Sequence, residues 1–364
     1  MKIGIVTIFY NNYNYGANLQ AFALNRICNN FGVETKTIVY CDCGRLHALL
    51  SNLKQSLIGL FHWNFTTRKM CIKKFQRLIP KTKKYYLNTI KKANNQFDTF
   101  IVGSDQVWNP NYLNTFYDLS FVNDDNAKVS YAASLGKLSF SKKDEERYSG
   151  FLADYSLISV REEAAQKLLT RLVNKNIELV LDPTLLLCSE EWLSICSPRR
   201  VVEDYLFCYF LNDNELHRKL AIEFAAIKHL KIVTIPDLSY SYRECDKGFG
   251  DFRLYNVGPS DFLSLIKHSS FVFTDSFHAT VFSLIFNKQF IVFDDFKSST
   301  GSRIETLSSL FHTSERYINN LDDANIENII KLDNIDYTDL FDDYLLLREQ
   351  SIVFLKKALG LKHD

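Results

Sequence analysis

The sequence lacks a charge excess, a long apolar run and a set of paired cysteines. Its 364 residues carry 43 Lys and Arg against 42 Asp and Glu, so the net charge of +1 gives no global argument for nucleic-acid binding. No uninterrupted apolar run reaches transmembrane length, and the apolar stretch after Met1 and Lys2 is too short for a signal peptide. Only Cys41 and Cys43 lie close together, and no second pair completes a zinc pattern. Scattered thiols favour a reducing cytosol, so we expect a cytoplasmic protein.

Four common catalytic and cofactor-binding motifs are also missing. The sequence contains no GxGxxG, which removes the fingerprint of dinucleotide binding, and no GxxxxGK(S/T) phosphate-binding loop. HExxH and GxSxG are absent as well, so zinc-protease and α/β-hydrolase interpretations have no motif to support them. The candidate chemistry must therefore be sought in residues that no general motif marks.

Strand-like and helical segments alternate in two successive blocks along the chain. In the first half, strand-like runs such as KIGIVTIFY and FDTFIVG are interspersed with helical patterns, the first from Asn18 to Asn30. The second half repeats this alternation from DYLFCYFL to QFIVFDDF. Two such blocks predict an α/β protein with two Rossmann-like domains, each built on a parallel sheet. We expect an N-terminal domain over 1–187, a C-terminal domain over 204–335 and a C-terminal helical segment over 336–364.

One stretch of the N-terminal half contains no acidic residue. From Cys43 to Phe97 there is no Asp or Glu, and here we predict an amphipathic and basic insertion at about 44–92. Leucines from Leu46 to Leu60 share one helical stripe, and a run of lysines and arginines follows from Arg68 to Lys84. Such a pattern is typical of a peripheral contact with an anionic membrane. The alternative is that the leucines pack on the N-terminal domain and the lysines form a solvated face.

A polar interruption between two apolar segments gives the first candidate site. Residues 271–286 read FVFTDSFHATVFSLIF, in which a strand-like run stops before Ser276 and His278 and a helical stripe follows. In open α/β sheets, ligands lie at the carboxyl ends of strands, where a helix N terminus favours an anion. His278 could meet a ligand there, and histidine is the side chain that changes charge near neutral pH. The simpler interpretation is that His278 only caps the helix or bonds to backbone.

Two arginines and an aspartate occupy comparable junctions. Arg161 follows the strand-like SLISV, and Arg303 opens a helical pattern shortly after QFIVFDDF. The guanidinium fork matches a carboxylate or a phosphate, and a surface ion pair is the alternative for Arg161. Asp105, close after FDTFIVG, could accept a proton or bind a sugar hydroxyl, or it could simply stabilise a turn. If the two domains face each other across a cleft, Arg161, His278 and Arg303 can border it and hold a small donor with two anionic groups.

Neutral polar and aromatic side chains near the same strand ends suit a sugar. The loop YNNYNYGANLQAF offers amides and rings that can form neutral hydrogen bonds and stacking contacts, and Gly16 opens a helix there. An ordinary polar turn with a helix cap is the alternative for this loop. The candidate contacts to a sugar acceptor are Asn14, Tyr15, Asn18, Ser104, Asp105, Gln106 and Trp108.

Seven stretches form an ordered set over roughly the first 310 residues. They are YNYGANLQAFAL (13–24), FDTFIVGSDQVWN (97–109), SYAASLG (130–136), SVREE (159–163), LDPTLLL (181–187), GPSDFLSLIKHSSFVFTDSFHATVFSLIFNKQFIVF (258–293) and SRIETLS (302–308). The acid-free insertion and the C-terminal segment lie outside them. Taken together, these stretches resemble the polysaccharide pyruvyl transferase family.

The resemblance implies a GT-B-like arrangement and an enzyme that moves a pyruvyl group from phosphoenolpyruvate to two sugar hydroxyls. The product would be a ketal in a cell-surface or capsular polysaccharide. Phosphoenolpyruvate would be a co-substrate, with no metal and no cofactor. The resemblance carries over His278 and Arg161. The donor chemistry then makes His278 the expected acid or phosphate partner and Asp105 a candidate base or acceptor ligand, and we expect Arg161, Arg303, Ser276 and His278 to bind phosphoenolpyruvate. Many members have Arg-Leu-His where this chain has Ser276-Phe277-His278, so that Arg is missing and Arg303 is its candidate substitute.

The expected partners are phosphoenolpyruvate and a sugar acceptor carried on a lipid diphosphate at the inner membrane face. We expect no nucleic-acid partner. Two other functions remain open. One is a GT-B glycosyltransferase that uses a nucleotide sugar, because fold does not fix function. The other is a catalytically silent glycan-binding homologue, which the missing Arg beside His278 favours.

Overall fold

A computed structural model describes residues 1–42, 63–111, 113–136, 139–237, 243–294, 302–320, 323–338 and 340–361. Contacts within the chain divide it into two compact units. The first unit comprises Met1–Ile58, Gln76–Leu187 and Tyr344–Asp364, and the second comprises Gly59–Phe75 and Cys188–Asp343.

The first unit is built on parallel strands. They are β1 (Lys2–Val6), β2 (Glu34–Thr37), β3 (Tyr40–Cys41), β4 (Tyr85–Tyr86), β5 (Thr99–Val102), β6 (Ala127–Ser130), β7 (Ile158–Val160) and β8 (Ile177–Leu179). Four of them form a sheet in the order β2-β1-β5-β6, and β3-β4 and β7-β8 form parallel pairs. Isolated parallel bridges, Val129 with Leu157 and Ala133 with Val160, continue the sheet towards β7. All carboxyl ends in this sheet therefore lie at one edge.

Helices and short 3₁₀ turns surround these strands. They are α1 (Tyr15–Asn30), α3 (Lys142–Leu152) and α4 (Glu163–Thr170), with 3₁₀ turns at Gln76–Leu78, Ile90–Asn95 and Pro183–Leu185. The Asn14 side chain caps α1 by accepting the Ala17 N–H, and Gly32 (φ +77°) takes the left-handed conformation just past its end. A cap and a stop at these points fix the helix that leads away from β1.

The second unit has a six-stranded parallel sheet in the order β11-β10-β9-β12-β13-β14. Its strands are β9 (Tyr205–Tyr209), β10 (Lys231–Thr234), β11 (Phe252–Arg253), β12 (Phe271–Thr274), β13 (Phe290–Phe293) and β14 (Tyr317–Ile318). Its helices are α2 (Trp63–Phe75), α5 (Ser189–Leu193), α6 (Glu215–Ile227), α7 (Pro259–His268), α8 (Phe277–Ile285), α9 (Ser302–Leu310) and α10 (Ile326–Lys331), with 3₁₀ turns at Glu244–Asp246 and Ser314–Arg316. Buried phenylalanines such as Phe224, Phe273 and Phe293 fill the core of this unit.

The prediction of an α/β protein with two parallel sheets is confirmed. The division of the chain differs from the predicted boundaries in two places. Helix α2 belongs to the second unit, although it lies inside the insertion that we assigned to the N-terminal domain. The C-terminal helix α11 (Leu340–Ala358) is not a separate segment, because from Tyr344 onwards it belongs to the first unit.

Side-chain contacts explain both differences. Arg68 of α2 donates hydrogen bonds to backbone carbonyls of the second unit, and the Ser351 hydroxyl of α11 accepts the Leu181 N–H of the first unit. Tyr344 and Arg348 of the same helix donate to the carbonyls of Leu185 and Leu186. Such long-range contacts leave no local signal in the sequence. The predicted leucine stripe of the insertion, 46–61, lies outside the described residues.

Candidate functional site

The carboxyl end of β5 turns sharply into the loop that carries Ser104 and Asp105. Gly103 adopts φ +122°, and a Cβ at this position would lie 2.0 Å from the Tyr131 carbonyl oxygen. No other residue fits there without moving the backbone. Asp105 itself adopts φ +69°, a left-handed conformation that aspartate tolerates better than most residues. The chain is thus shaped to hold this aspartate at the edge of the sheet.

Arg161, just beyond β7, lies inside a buried cluster that includes Asp105. Its side chain is 1% exposed, and its Nη1 lies 2.6 Å from the Asp182 carboxylate. Its Nη2 lies 3.1 Å from the Asp105 carboxylate, and Nη1 also lies 3.3 Å from the Ser104 hydroxyl. Burial alone would lower the pKa of Arg161, but the carboxylates of Asp182, Asp105 and Glu162 outweigh it, and the pKa is raised. The guanidinium is therefore firmly charged and enclosed by carboxylates.

Glu162 adds a third carboxylate to this cluster and fixes the neighbouring loop. Its Oε1 accepts the Ser134 hydroxyl at 2.9 Å and the Leu135 N–H at 2.8 Å, while Oε2 lies 3.9 Å from Arg161 Nε. One guanidinium thus faces three carboxylates. Because the net charge of these four groups is negative, the cluster by itself does not attract an anionic ligand.

The cluster changes the expected role of Arg161. We predicted that it binds phosphoenolpyruvate, but its side chain is enclosed and held by Asp182 and Asp105. A phosphate could reach it only by displacing those carboxylates. Asp105 is the more accessible of the two partners, with a side chain that is 15% exposed against 0% for Asp182. The arrangement fits an arginine that orients Asp105 towards solvent.

The predicted acceptor contacts divide into buried and accessible residues. Trp108 is fully buried, donates its indole N–H to the Tyr117 carbonyl and packs edge-to-face on Tyr155, so it has a core-packing role. Asn18 is also fully buried, and its amide bonds to the carbonyls of Asn12 and Asn14. Tyr15 and Ser104 are buried as well, because α1 and β5 direct them inward. Among the candidates, Asn14, Asp105 and Gln106 are at least partly exposed.

In the second unit, His278 lies in the first turn of α8, which begins directly beyond β12. Ser276 is the N-cap residue, and its hydroxyl accepts the Ala279 N–H at 3.4 Å. Thr280 donates its hydroxyl to the Ser276 carbonyl at 3.1 Å, which closes the same turn. His278 is 6% exposed and its ring packs edge-to-face against Phe277. The histidine is therefore held rigidly beside a helix N terminus, where partial positive charge favours an anion.

Asp275 lies beside His278 and was not among the predicted site residues. Its two carboxylate oxygens accept the backbone N–H groups of Leu211 at 2.6 Å and Asn212 at 2.9 Å, which ties the loop after β9 to the end of β12. Burial raises the pKa of Asp275 to about 6, although these two N–H donors and Arg218 favour the charged form. The sequence signal was its position at a strand end within an apolar segment, where a carboxylate needs a structural or chemical reason.

Arg303 follows the next strand of the sheet along the chain. It is the second residue of α9, which follows β13, and β13 is the parallel neighbour of β12. Helices α8 and α9 are in contact, and the Arg303 side chain is half-buried. Ser276 and His278 therefore lie just beyond the carboxyl end of β12, and Arg303 lies in the first turn of the helix that follows the neighbouring strand along the chain. Asp105 and Arg161 form a separate group in the other unit.

A second buried arginine supports the loop that Asp275 holds. Arg218 of α6 pairs with Asp246 at 2.6 Å and donates from Nη1 to the carbonyls of Asn212 and Asn214. Its neighbour His217 is buried and stacks on Phe293 at 4.5 Å between ring centres. Burial, with a smaller effect of Arg218, lowers the pKa of His217 to about 3, so this histidine is neutral at physiological pH.

Within the part of the chain that the structure describes, no group of three or more His, Cys, Asp or Glu side chains is arranged to hold a metal ion. In the same residues, no helix is both long and apolar enough to cross a membrane.

The sequence profile described as polysaccharide pyruvyl transferase matches residues 14–295. The chain belongs to this family. The match includes Asp105, Arg161, Asp275 and His278, and it ends before Arg303. As a member of the polysaccharide pyruvyl transferase family, the protein is a transferase, and its family supports pyruvyl transfer in polysaccharide biosynthesis with a sugar or polysaccharide acceptor. A comparison with curated proteins found no match.

Several solved structures share the fold of this pyruvyl transferase family member. UDP-GlcNAc 2-epimerase from Methanocaldococcus jannaschii is 16% identical, with a TM-score of 0.55 over 93% of this chain and 94% of that one. The putative UDP-N-acetylglucosamine 2-epimerase from Listeria monocytogenes is 12% identical, with a TM-score of 0.58 over 99% and 96%. The S. aureus MnaA–UDP complex is 14% identical, with a TM-score of 0.58 over 100% and 98%. At these identities the likeness shows the fold alone, which is GT-B-like as predicted.

Proposed function

We propose that this protein transfers a pyruvyl group from phosphoenolpyruvate to two hydroxyls of a sugar, forming a cyclic ketal in a cell-surface or capsular polysaccharide. The sugar acceptor is carried on a lipid diphosphate. The observation that carries the proposal is the family match over residues 14–295. The geometry of the strand ends in each unit supports particular roles for the residues there.

The donor chemistry explains which groups are needed. A proton added to the methylene carbon of phosphoenolpyruvate gives a methyl group and an oxocarbenium-like centre. One sugar hydroxyl attacks that carbon, the bond to the phosphate oxygen breaks and phosphate leaves. A second hydroxyl then attacks the same carbon and closes the ketal. Each hydroxyl loses one proton: one of the two balances the proton added to the new methyl group, and the other ends on phosphate. The reaction needs a general acid, a base for the hydroxyl and positive charge for the phosphate.

His278 is the proposed general acid and phosphate partner. It is fixed in the first turn of α8 by the Ser276 cap and by its packing on Phe277. A rigid side chain keeps a donor oriented without reorganisation during the reaction, which is the condition for effective electrostatic stabilisation. Asp275 precedes this turn and supports it by holding the loop after β9.

Arg303 is the proposed cation for the phosphate or carboxylate of the donor. Residue 276 is a serine, so the guanidinium that many family members have in this motif is absent here. Arg303 is the second residue of α9, the helix that follows the adjacent strand β13 along the chain, so the helix N terminus adds partial positive charge beside it. Arginine provides a planar fork that matches both anionic groups of phosphoenolpyruvate.

Asp105 is the proposed base for the attacking hydroxyl, and Arg161 is a positioning residue. The salt bridge from Arg161 Nη2 to Asp105 leaves the carboxylate partly exposed while its orientation is fixed. Asp182 and Ser104 in turn hold Arg161. This assignment replaces the predicted clamp on phosphoenolpyruvate, because the guanidinium is enclosed by carboxylates.

The proposal is tested by incubating the protein with a panel of lipid-diphosphate oligosaccharides and phosphoenolpyruvate, followed by mass spectrometry. A pyruvate ketal on one acceptor, with stoichiometric release of phosphate, is the expected result. A matched incubation replaces phosphoenolpyruvate with nucleotide sugars. A glycosyl product in that arm, with no ketal in the first, would identify a glycosyltransferase. Acceptor binding without either product would identify a silent glycan-binding homologue.

A further inference from the structure

Helix α2 packs one of its faces on the rest of the second unit. Arg68 is 8% exposed and donates to the carbonyls of Pro236 at 2.7 Å, Tyr255 at 3.0 Å and Leu254 at 3.2 Å. Ile72 and Phe75, four and seven residues further along, are buried on the same side. Three charge-assisted hydrogen bonds and two buried apolar side chains fix the helix on this unit and determine which face points away from it.

The opposite face of α2 presents large apolar side chains to solvent. Trp63 is 74% exposed and Met70 is 65% exposed. The two residues are seven positions apart, which is about two turns, so they lie in one line along the helix. Lys74 follows Met70 by one turn on this line, and Lys73 is exposed beside it. The outward face is defined here by Trp63, Met70, Lys73 and Lys74.

All the charged side chains in the sequence segment that contains α2 are basic. No Asp or Glu occurs between Cys43 and Phe97, so α2 and the residues that follow it contribute only basic charges. On the side where α2 packs, Asp261 of α7 lies 3.7 Å from Arg200 and accepts the Gly258 N–H. The charges that α2 and the residues after it contribute are therefore complementary to an anionic surface.

Two lysines that the sequence grouped with this tract have other contacts. Lys81 donates to the Gln76 carbonyl, and the Lys84 ammonium lies 4.9 Å from the centre of the Tyr10 ring. Both belong to the first unit. They are accordingly not part of the outward face of α2.

We propose that the outward face of α2 is a contact surface for an anionic lipid bilayer. Trp and Met insert among the acyl chains near the headgroups, and the two lysines lie at the level of the anionic headgroups, as in interfacial helices. The inference rests on the proposed function in one respect, because it explains how the protein meets an acceptor that is held in a membrane.

The test begins with flotation of the full-length protein with vesicles. Vesicles of phosphatidylcholine mixed with phosphatidylglycerol are compared with pure phosphatidylcholine vesicles, each at low and high salt. Co-flotation is expected with the anionic vesicles at low salt, and it should weaken at high salt because counterions screen the lysines. No co-flotation with anionic vesicles at low salt overturns the inference.

Variants locate the contact on α2. Each lysine near an anionic surface contributes roughly fivefold to partitioning, so Lys73→Gln with Lys74→Gln should weaken binding roughly 25-fold. Trp63→Ser should weaken it by roughly tenfold or more. The matched controls are Lys142→Gln with Lys143→Gln on α3, and Ile222→Ser, which replaces a side chain that is 54% exposed on α6. The assignment of the contact to α2 is overturned if the α2 variants bind vesicles as well as the wild type does. It is also overturned if the control variants weaken binding as much as the α2 variants do.

Tryptophan fluorescence gives an independent readout. Trp108 and Trp192 are fully buried, whereas Trp63 is 74% exposed, so Trp63 dominates any change caused by the environment outside the protein. A blue shift of emission on adding anionic vesicles, absent in Trp63→Phe, is expected. An unchanged spectrum with bound vesicles would place the contact elsewhere. The melting temperature of each variant confirms that its fold is retained.

Turnover separates this inference from the proposed function. The α2 variants should slow ketal formation on a lipid-linked acceptor in anionic vesicles and leave a short soluble acceptor unaffected. Equal turnover of both acceptors by the variants contradicts the membrane surface while leaving the proposed chemistry in place. Vesicle binding by a protein that forms no ketal from phosphoenolpyruvate would support the membrane surface and contradict the proposed chemistry.

Discussion

The two parallel sheets end in polar loops of different character. At the carboxyl edge of the first, Arg161 is enclosed by Asp182, Asp105 and Glu162. At the carboxyl edge of the second, Asp275 holds a loop through backbone N–H groups and His278 follows in the first turn of α8, while Arg303 lies in the first turn of α9. The same parallel topology thus places an arginine that is already paired with carboxylates in one unit and a histidine beside a helix N terminus in the other.

This difference shows that position at a strand end does not establish a ligand contact. Arg161 and Arg303 look equivalent in the sequence, since each follows an apolar strand. The structure shows what surrounds Arg161: a buried guanidinium requires carboxylates to offset the loss of water, and Asp182, Asp105 and Glu162 provide them. An arginine enclosed in that way stabilises and orients its partners.

The largest expected effect is on His278, because it tests the chemistry assigned to the second unit. His278→Ala should reduce kcat for ketal formation by about 10²–10⁴-fold, the range for loss of a general acid. Steady-state phosphate release with phosphoenolpyruvate and acceptor measures it.

A matched histidine keeps that test specific. His229 is exposed at φ +53°, a conformation that asparagine tolerates, so His229→Asn should retain activity. A His278→Ala protein with normal kcat and an unchanged fold would remove His278 from the proposed mechanism.

The second test concerns the cluster in the first unit and is a stability effect. Arg161→Met leaves the buried Asp182 and Glu162 and the half-buried Asp105 without their cation, and it should destabilise the protein by about 3–5 kcal/mol. Urea unfolding measures the free-energy change. Lys167→Met is the control, because its partner Glu163 at 3.0 Å is exposed, and it should change stability by less than about 1 kcal/mol.

A double variant and a kinetic measurement sharpen the role of Arg161. Arg161→Met with Asp182→Asn should be more stable than Arg161→Met alone, because one uncompensated charge is removed. In Arg161→Lys, an arginine that orients Asp105 predicts a lower kcat with a changed pH profile. A higher KM for phosphoenolpyruvate alone, with kcat retained, would instead support the original assignment to donor binding.

The third test uses the pH dependence of stability in the second unit. Asp275 has a folded-state pKa of about 6, above its ordinary value of 3.8, so the stability it contributes is present at low pH and is lost as pH rises through 6. At about 1.36 kcal/mol per pKa unit, this amounts to at most about 3 kcal/mol. Asp275→Asn should therefore gain stability relative to the wild type between pH 4 and 7, as measured by urea unfolding.

His217 provides a control with the opposite sign. Its folded-state pKa of about 3 lies below the ordinary 6.5, so its contribution is present above pH 6.5 and is lost as pH falls towards 3. In the wild type, the two groups change the free energy of unfolding with pH in opposite directions. The contribution of each should become visible when the other group is replaced, as in His217→Phe. Parallel curves for Asp275→Asn and the wild type would contradict the raised pKa of Asp275.

The smallest expected effect is on Arg303. Loss of a charge-assisted hydrogen bond corresponds to about 1.5–3 kcal/mol, so Arg303→Gln should raise KM for phosphoenolpyruvate by roughly 10–100-fold. KM for the acceptor should change little. Arg253→Gln, an exposed arginine on β11, is the control. Unchanged donor kinetics in Arg303→Gln would show that another group replaces the missing arginine at position 276.

The elements of the fold could be predicted because their signals are local. The apolar runs that became β5, β9 and β12 were each identified, and the first helix was placed correctly, although the structure begins it at Tyr15 instead of Asn18. The Asn14 cap explains that difference, since capping adds one turn that apolar periodicity does not report. The junction after β12 was likewise visible as a polar break in an apolar segment.

The sequence by itself determined the parallel α/β class, the family and the positions of Asp105 and His278 close after the strands β5 and β12. Tertiary structure alone decided that Trp108 and Asn18 lie in the interior, that Arg161 is enclosed by carboxylates and that α2 belongs to the second unit. The physical reason is the distance along the chain over which each kind of interaction acts. Periodicity and capping act over a few neighbouring residues, whereas burial and charge pairing depend on residues such as Asp182, or the carbonyls that Arg68 meets, which are distant along the chain.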